Sequence, residues 1–146
     1  MDGGTMASII AGLAGGIVAT IVMTMVMMVM GDGGPPPTAR LVAKFAGGDP
    51  EEYAMPGMAL HVIYGIVAGT VFAVGVPLLG LSLGSIATAV GLGIGYGIVL
   101  MIGGMMFWMR MVIGMEPDKG MVTMFGTVHV VYGLVLGAFL GAGILA

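Results

Sequence analysis

Two histidines stand in uncharged, apolar stretches of this 146-residue chain, each inside a repeated motif. Residues 61–69 read HVIYGIVAG and residues 129–137 read HVVYGLVLG, which agree at six of nine positions. Each copy places a tyrosine three residues after a histidine, which gives the pairs His61 with Tyr64 and His129 with Tyr132. Imidazole nitrogens bind metals and exchange protons near neutral pH, so these side chains are the candidates for chemistry.

Three interpretations of the histidine pair stay open. An ionisable side chain is costly to keep inside a membrane span and is a functional hypothesis by default. In the first interpretation, each neutral imidazole hydrogen-bonds a neighbouring helix and only fixes packing. In the second, the two imidazoles ligate a b-type haem or another metal, with the tyrosines supporting them. In the third, the histidine–tyrosine pairs carry protons.

Residues able to support other reactions are scarce. The chain has no cysteine and three serines, and no histidine or acid is placed to activate a serine. Six of the seven acids lie in loops, so a carboxylate-driven pump lacks its usual intramembrane acid. We therefore predict that the protein is not an enzyme. A net charge of −3 also argues against a basic surface for nucleic acid.

The composition places the chain in a lipid bilayer. Hydrophobic residues make up 59% and charged residues 8%, whereas an average soluble domain has about a quarter of its residues charged. Continuous apolar runs without alternation favour helices over barrel strands. The breaks between runs predict an all-α, integral membrane four-helix bundle that forms one domain over 1–146, with spans at 6–30, 57–77, 86–109 and 121–145.

The repetition extends to whole helix pairs. Span 1 contains AGLAGGIV and span 3 contains VGLGIGYGIV, so the chain divides into two tandem two-helix repeats over 6–80 and 85–146. An even number of spans per repeat keeps the orientation, which predicts a pseudo-twofold axis along the membrane normal. The first loop adds a short helix over 39–46 capped by Thr38, which lies either in the membrane interface or against the span ends.

Glycine is unusually abundant, with 29 residues, and small residues spaced by four let membrane helices approach closely. Glycines at this spacing follow each histidine, and we expect spans 2 and 4 to meet along them: Gly65, Gly69, Gly133, Gly137 and Gly141. A second packing surface is expected in span 3 at Gly91 and Gly95. Five more glycines are expected on outer faces: Gly12, Gly15, Gly16, Gly103 and Gly104.

The basic residues predict the orientation. All four follow spans 1 and 3, and none lies in the turn after span 2: Arg40, Lys44, Arg110 and Lys119. By the positive-inside rule, loops 31–56 and 110–120 are cytoplasmic and both termini are outside. This describes a multi-pass protein of the cell (plasma) membrane, with Trp108 as an anchor at the membrane interface.

Methionine is the other unusual component, with 17 residues, of which eleven crowd the same end of spans 1 and 3. Thioethers are soft ligands that suit Cu(I), so a copper path is one interpretation. The interpretation we favour is that methionine fills irregular gaps between helices.

With these motifs, the chain resembles a domain-of-unknown-function family of small four-helix membrane proteins common in halophilic archaea. The resemblance rests on AGLAGGIVATIVMT in span 1, on PPPT and GGDP in the first loop, and on the two histidine motifs, the second of which continues as HVVYGLVLGA. It implies a four-helix membrane fold and no particular activity.

The function is expected to take one of three forms. The lack of catalytic residues and the surplus of glycine favour a non-catalytic accessory subunit, which packs against other subunits or itself in a larger membrane complex such as a respiratory or electron-transfer assembly. The first alternative is a b-type haem or metal protein ligated by His61 and His129. The second is a channel or small transporter formed by oligomerisation.

Overall fold

The computed structural model describes residues 2–145. Its helices are α1 (Gly3–Met30), α2 (Pro37–Ala46), α3 (Ala54–Leu78), α4 (Ile86–Gly103) and α5 (Lys119–Gly141). A 3₁₀ turn at Pro50–Tyr53 leads into α3, and a π-helix at Gly104–Ile113 continues α4. No strand occurs within this described range, so the predicted all-α helical bundle is confirmed.

Four helical segments are long and apolar enough to cross a bilayer: Gly3–Met30, Pro50–Leu78, Ile86–Ile113 and Lys119–Gly141. Each exceeds the roughly 20 residues that a membrane span needs. The protein is therefore a multi-pass membrane protein with four helical spans.

The first and last spans begin earlier than the apolar runs predict, at Gly3 and Lys119, because an aspartate caps each helix. The Asp2 carboxylate accepts a hydrogen bond from the Thr5 N–H at 2.7 Å, and the Asp118 carboxylate accepts one from the Met121 N–H at 2.8 Å. Such caps satisfy backbone donors that have no partner within the helix. The bond from the Thr5 backbone also holds the pKa of the Asp2 carboxyl below its ordinary value.

Each hairpin packs backbone to backbone through glycine. In the first hairpin, a Cβ added to Gly69 of α3 would lie 2.6 Å from the Cα of Gly16 in α1. In the second, a Cβ added to Gly93 of α4 would overlap the carbonyl oxygen of Gly133 in α5. We expected the glycines of spans 2 and 4 to pack on each other, and that expectation is wrong. Each set packs on the preceding span of its own repeat, because that span carries complementary glycines.

The contact continues along both helices of each hairpin. Gly65 has no room for a side chain because the Thr20 side chain of α1 fills that space, and Gly137 and Gly141 pack on the first turns of α4 around Ala89. These three glycines belong to the set expected in helix packing, and their partners lie on α1 and α4.

The packed face of α4 differs from the expected one. Gly93 and Gly97 contact α5, whereas a Cβ added to Gly91 or Gly95 would meet no atom within 4 Å. Because two residues turn a helix by about 200°, Gly91 and Gly95 lie on the outer side of the bundle. They do not pack against another helix of this chain.

Four of the five glycines expected on outer faces are buried in the bundle: Gly12, Gly15, Gly16 and Gly104. Each has a bulky or backbone partner that occupies the space beside it, as Phe125 of α5 does beside Gly104. Only Gly103 is exposed. The expectation failed because these glycines serve contacts within the chain.

The two hairpins contact each other unequally. α1 meets α5 closely, because Gly15 leaves room for the side chain of Leu136. α3 and α4 are bridged by Tyr96, whose hydroxyl donates to the Ala68 carbonyl at 2.8 Å and whose ring centroid lies 4.9 Å from that of Phe72. Exact pseudo-twofold symmetry would make these two interfaces alike. The wider interface between α3 and α4 leaves room for a cavity.

α2 is docked on the start of α3. Pro36 is the N-cap residue of α2, and Thr38 lies within the helix and donates its hydroxyl to the Gly57 carbonyl of α3 at 2.5 Å. The backbone of Ala39 lies against Gly57, where a Cβ would come within 2.6 Å. Of the two placements considered for this helix, the structure has it against the span ends. Thr38 is not the cap, because its hydroxyl is used between helices.

The end of span 3 is a π-helix of ten residues, Gly104–Ile113. Such helices are rare and frequently occur at functional sites. The segment ends at Gly114, whose φ of +79° suits glycine, and the Met115 N–H donates to the Met109 carbonyl at 2.9 Å. Trp108, which we expected to anchor the chain at the membrane interface, lies in this segment and lines a cavity.

Candidate functional site

A cavity of about 310 Å³ lies between the two hairpins, at the end of the bundle that carries the charged loops. Its walls are formed by α1, α2, α3, α5 and the end of span 3 with its π-helix. All four side chains of the repeated motif line it: His61, Tyr64, His129 and Tyr132. The structure therefore brings the two histidines to one space.

The rest of the lining is almost entirely apolar. It includes four methionines and two aromatic rings outside the repeated motif: Met23, Met27, Met109, Met124, Trp108 and Phe125. Of residues 2–145, no lysine, arginine, aspartate or glutamate lines the cavity. Nor does that part of the chain contain three His, Cys, Asp or Glu side chains close enough together to hold a metal ion.

His61 is held by a threonine of the neighbouring helix. Its Nε2 lies 3.0 Å from the Thr24 Oγ1 of α1. The single hydroxyl hydrogen of Thr24 is already donated to the Thr20 carbonyl at 2.6 Å. Thr24 must therefore accept from His61, so Nε2 carries the proton and Nδ1 carries the lone pair.

His129 is held by its own helix and presents the opposite nitrogen. Its Nδ1 lies 2.7 Å from the Phe125 carbonyl oxygen, which can only accept. Nδ1 therefore carries the proton in the neutral ring, and Nε2 carries the lone pair. The Phe125 ring, whose centroid is 4.2 Å from that of the imidazole, packs beside it and leaves His129 only 7% exposed.

The two tyrosines of the motif differ in their surroundings. The Tyr132 hydroxyl donates to the Gly65 carbonyl at 2.5 Å and ties α5 to α3, and the residue is 2% exposed. Tyr64 is 43% exposed. We expected both tyrosines to support the histidines, yet the hydroxyl of Tyr132 is bonded to backbone.

Residues outside the motif that shape the site were missed in the sequence. Thr24 fixes the ring of His61, Tyr96 bonds to the backbone of Ala68 in the cavity wall, and α2 contributes Thr38 to that wall. A polar pair spaced by four, Thr20 and Thr24, was visible in span 1. The helix that it faces was not, because that depends on how the hairpin packs.

Comparisons with protein-family models, with curated proteins and with solved structures found no match. The resemblance to the family of halophilic archaea stays a prediction.

Proposed function

We propose that this membrane protein binds a small, neutral, membrane-soluble molecule in the cavity between its two hairpins. The observation that carries the proposal is the cavity of about 310 Å³, which is apolar and has two oriented imidazoles on its wall. An apolar pocket with a few convergent polar groups is the usual form of a small-molecule site.

The charge of the lining supports a neutral ligand. A buried ion needs an opposite charge or several hydrogen bonds to offset the loss of water. No charged side chain lines the cavity within residues 2–145. For the same reason the geometry favours a neutral ligand over haem, whose two carboxylates would have no cationic partner, and whose iron would compete with Thr24 for the Nε2 of His61.

The binding proposal can be tested with the intrinsic fluorescence of Trp108, because it is the only tryptophan of the chain and lines the cavity. Delipidated protein in detergent is titrated with an organic extract of its native membranes. We expect a saturable fluorescence change in the unmodified protein. Ala68→Phe fills the cavity and should abolish the change, and Leu100→Phe provides a second filling variant at a lining residue of α4.

Val67→Phe is the matched control, because Val67 is the neighbour of Ala68 on α3 and is 55% exposed on the outer surface. Its fluorescence response should equal that of the unmodified protein. A response that survives in both filling variants would overturn the proposal. An absorption spectrum of the same preparation tests the haem alternative, which predicts a Soret band that disappears in His61→Ala and His129→Ala.

We also propose the role of an accessory subunit as a second candidate, which one observation favours. Gly91, Gly95 and Gly103 lie on the outer side of α4 and its extension, and a Cβ at any of them would meet no atom within 4 Å. Glycine inside a helix costs about 0.5–1 kcal/mol relative to alanine, and small residues on a span permit close approach of another helix. This surface suits a second copy or another subunit.

The size of the complex in native membranes tests this candidate. Native electrophoresis of gently extracted protein should show a species larger than the single chain, and Gly95→Leu should shift it to smaller size. Gly75→Leu on α3 is the control, because a Cβ at Gly75 also has open space around it. Migration of the unmodified protein as a monomer, or an unchanged complex in Gly95→Leu, would refute the accessory role.

A further inference from the structure

The two histidines use different ring nitrogens for their bonds within the protein, and each keeps one nitrogen that can accept a hydrogen bond. Thr24 accepts from the Nε2–H of His61, and the Phe125 carbonyl accepts from the Nδ1–H of His129. The remaining nitrogens, Nδ1 of His61 and Nε2 of His129, both carry lone pairs. Both are therefore hydrogen-bond acceptors as long as the rings stay neutral.

Both free nitrogens keep some accessible surface, and both histidines line the cavity. Within residues 2–145, no fully buried side-chain nitrogen or oxygen lacks a hydrogen-bond partner. Neither free nitrogen has a hydrogen-bond partner among the described residues, so neither is fully buried. Because both residues line the cavity, its wall offers two acceptors to whatever enters.

The remaining lining restricts the class of ligand. The rings of Tyr64, Trp108 and Phe125 line the cavity and suit contact with a flat aromatic ring. The volume of about 310 Å³ fits an organic molecule, whereas a bare metal ion would need ligands that converge on a point. The absence of charged lining residues in the described range favours a neutral ligand.

We propose that the ligand is a membrane-soluble dihydroxy aromatic compound of the hydroquinone type, whose hydroxyl groups donate to Nδ1 of His61 and Nε2 of His129. This inference rests on the proposed binding function. The matching quinone has only acceptor oxygens, which would face the lone pairs of the imidazoles. To bind a quinone in the same way, His129 would have to exchange tautomer and give up its bond to the Phe125 carbonyl. His61 would also have to exchange tautomer, and Thr24 would keep a bond to it only by turning its hydroxyl away from the Thr20 carbonyl.

The test compares three probes that share one ring and one decyl chain: the hydroquinone, the quinone and the dimethyl ether of the hydroquinone. Equilibrium binding is measured to protein in nanodiscs under reducing conditions for the hydroquinone, and partition into empty nanodiscs is subtracted. We expect the hydroquinone to bind about tenfold more tightly than either probe without donors, because a site built for a hydrogen bond rejects the analogue that lacks it.

Two variants test the assignment of the acceptors. His129→Phe removes one acceptor and should reduce the preference for hydroquinone over quinone severalfold. Thr24→Val removes the group that fixes the tautomer of His61 and does not line the cavity. It should strengthen binding of the quinone and so narrow the preference, an effect that a purely structural role would not produce. Val67→Phe should keep the preference of the unmodified protein.

The results separate this inference from the binding function on which it rests. Equal binding of hydroquinone and quinone, both lost in Ala68→Phe, would refute the hydroquinone class and support the cavity as a binding site. Binding of none of the probes would refute the class as well, and the titration of Trp108 would then decide the binding function by itself. A stoichiometric Cu(I) complex that displaces the hydroquinone and is lost in His129→Phe would overturn the inference in favour of a metal.

Discussion

At the scale of single residues, hydrogen-bond partners distinguish two histidines that the sequence makes look equivalent. The motif and its spacing could be predicted from the sequence, and so could the placement of both residues in apolar spans. The tautomers could not, because they depend on the facing helix. α1 offers Thr24 to His61, whereas His129 takes the carbonyl of Phe125 on its own helix.

The two tyrosines of the motif also differ in their surroundings, and a pair of matched substitutions tests that difference. Tyr132→Phe removes the hydroxyl that donates to Gly65 and should destabilise the protein by about 0.5–1 kcal/mol, because hydrogen bonds between membrane helices are typically of this size. Tyr64→Phe should change stability little, since its hydroxyl has no hydrogen bond within residues 2–145 and the residue is 43% exposed. Unfolding in mixed detergent micelles measures both. An equal loss in the two variants would contradict the different roles.

At the scale of helices, the sequence predicts that glycines pack but leaves their partners open. The run in span 3 has glycine at every second position, at 91, 93, 95 and 97. Such a run offers two glycine faces about 200° apart, and spacing alone cannot choose between them. The choice depends on the complementary glycines of α5, which meet Gly93 and Gly97.

Alanine substitutions in α4 test the choice of face. Gly93→Ala should destabilise the protein by about 1–3 kcal/mol, because the added methyl group would overlap the carbonyl of Gly133 and force the helices apart. Gly95→Ala adds a methyl group to open space and should leave folding unchanged or improve it by up to about 1 kcal/mol. Thermal unfolding of the two variants in one detergent gives the comparison. A greater loss of stability in Gly95→Ala than in Gly93→Ala would contradict the packing of the Gly93 face of α4 against α5.

At the scale of the whole molecule, a duplicated hairpin produces a cavity because its two internal interfaces are unequal. The duplication could be predicted from repeated sequence. The cavity could not, because it depends on Gly15 admitting Leu136 on one side while Tyr96 holds α3 and α4 apart on the other. The π-helix at Gly104–Ile113, which contributes Trp108 to the cavity lining, has no pattern in the sequence that predicts it.

The orientation of the molecule is a prediction that the absence of native cysteine makes easy to test. Gly33→Cys lies in the loop after α1, and Ser82→Cys lies in the turn between α3 and α4; both positions are exposed. With the charged loops in the cytoplasm, a membrane-impermeant maleimide added to intact cells should label Ser82→Cys and spare Gly33→Cys. Lysis should make both reactive. Labelling of Gly33→Cys in intact cells would contradict the predicted topology and indicate the opposite orientation.

The central claim is that a small molecule occupies the cavity between the hairpins. Native mass spectrometry of the protein, released from nanodiscs that carry native membrane lipid, tests it in one measurement. The claim predicts a chain with a single small-molecule adduct in the unmodified protein and in Val67→Phe, and a bare chain in Ala68→Phe. A bare chain in the unmodified protein, or an adduct that persists in Ala68→Phe, would contradict it.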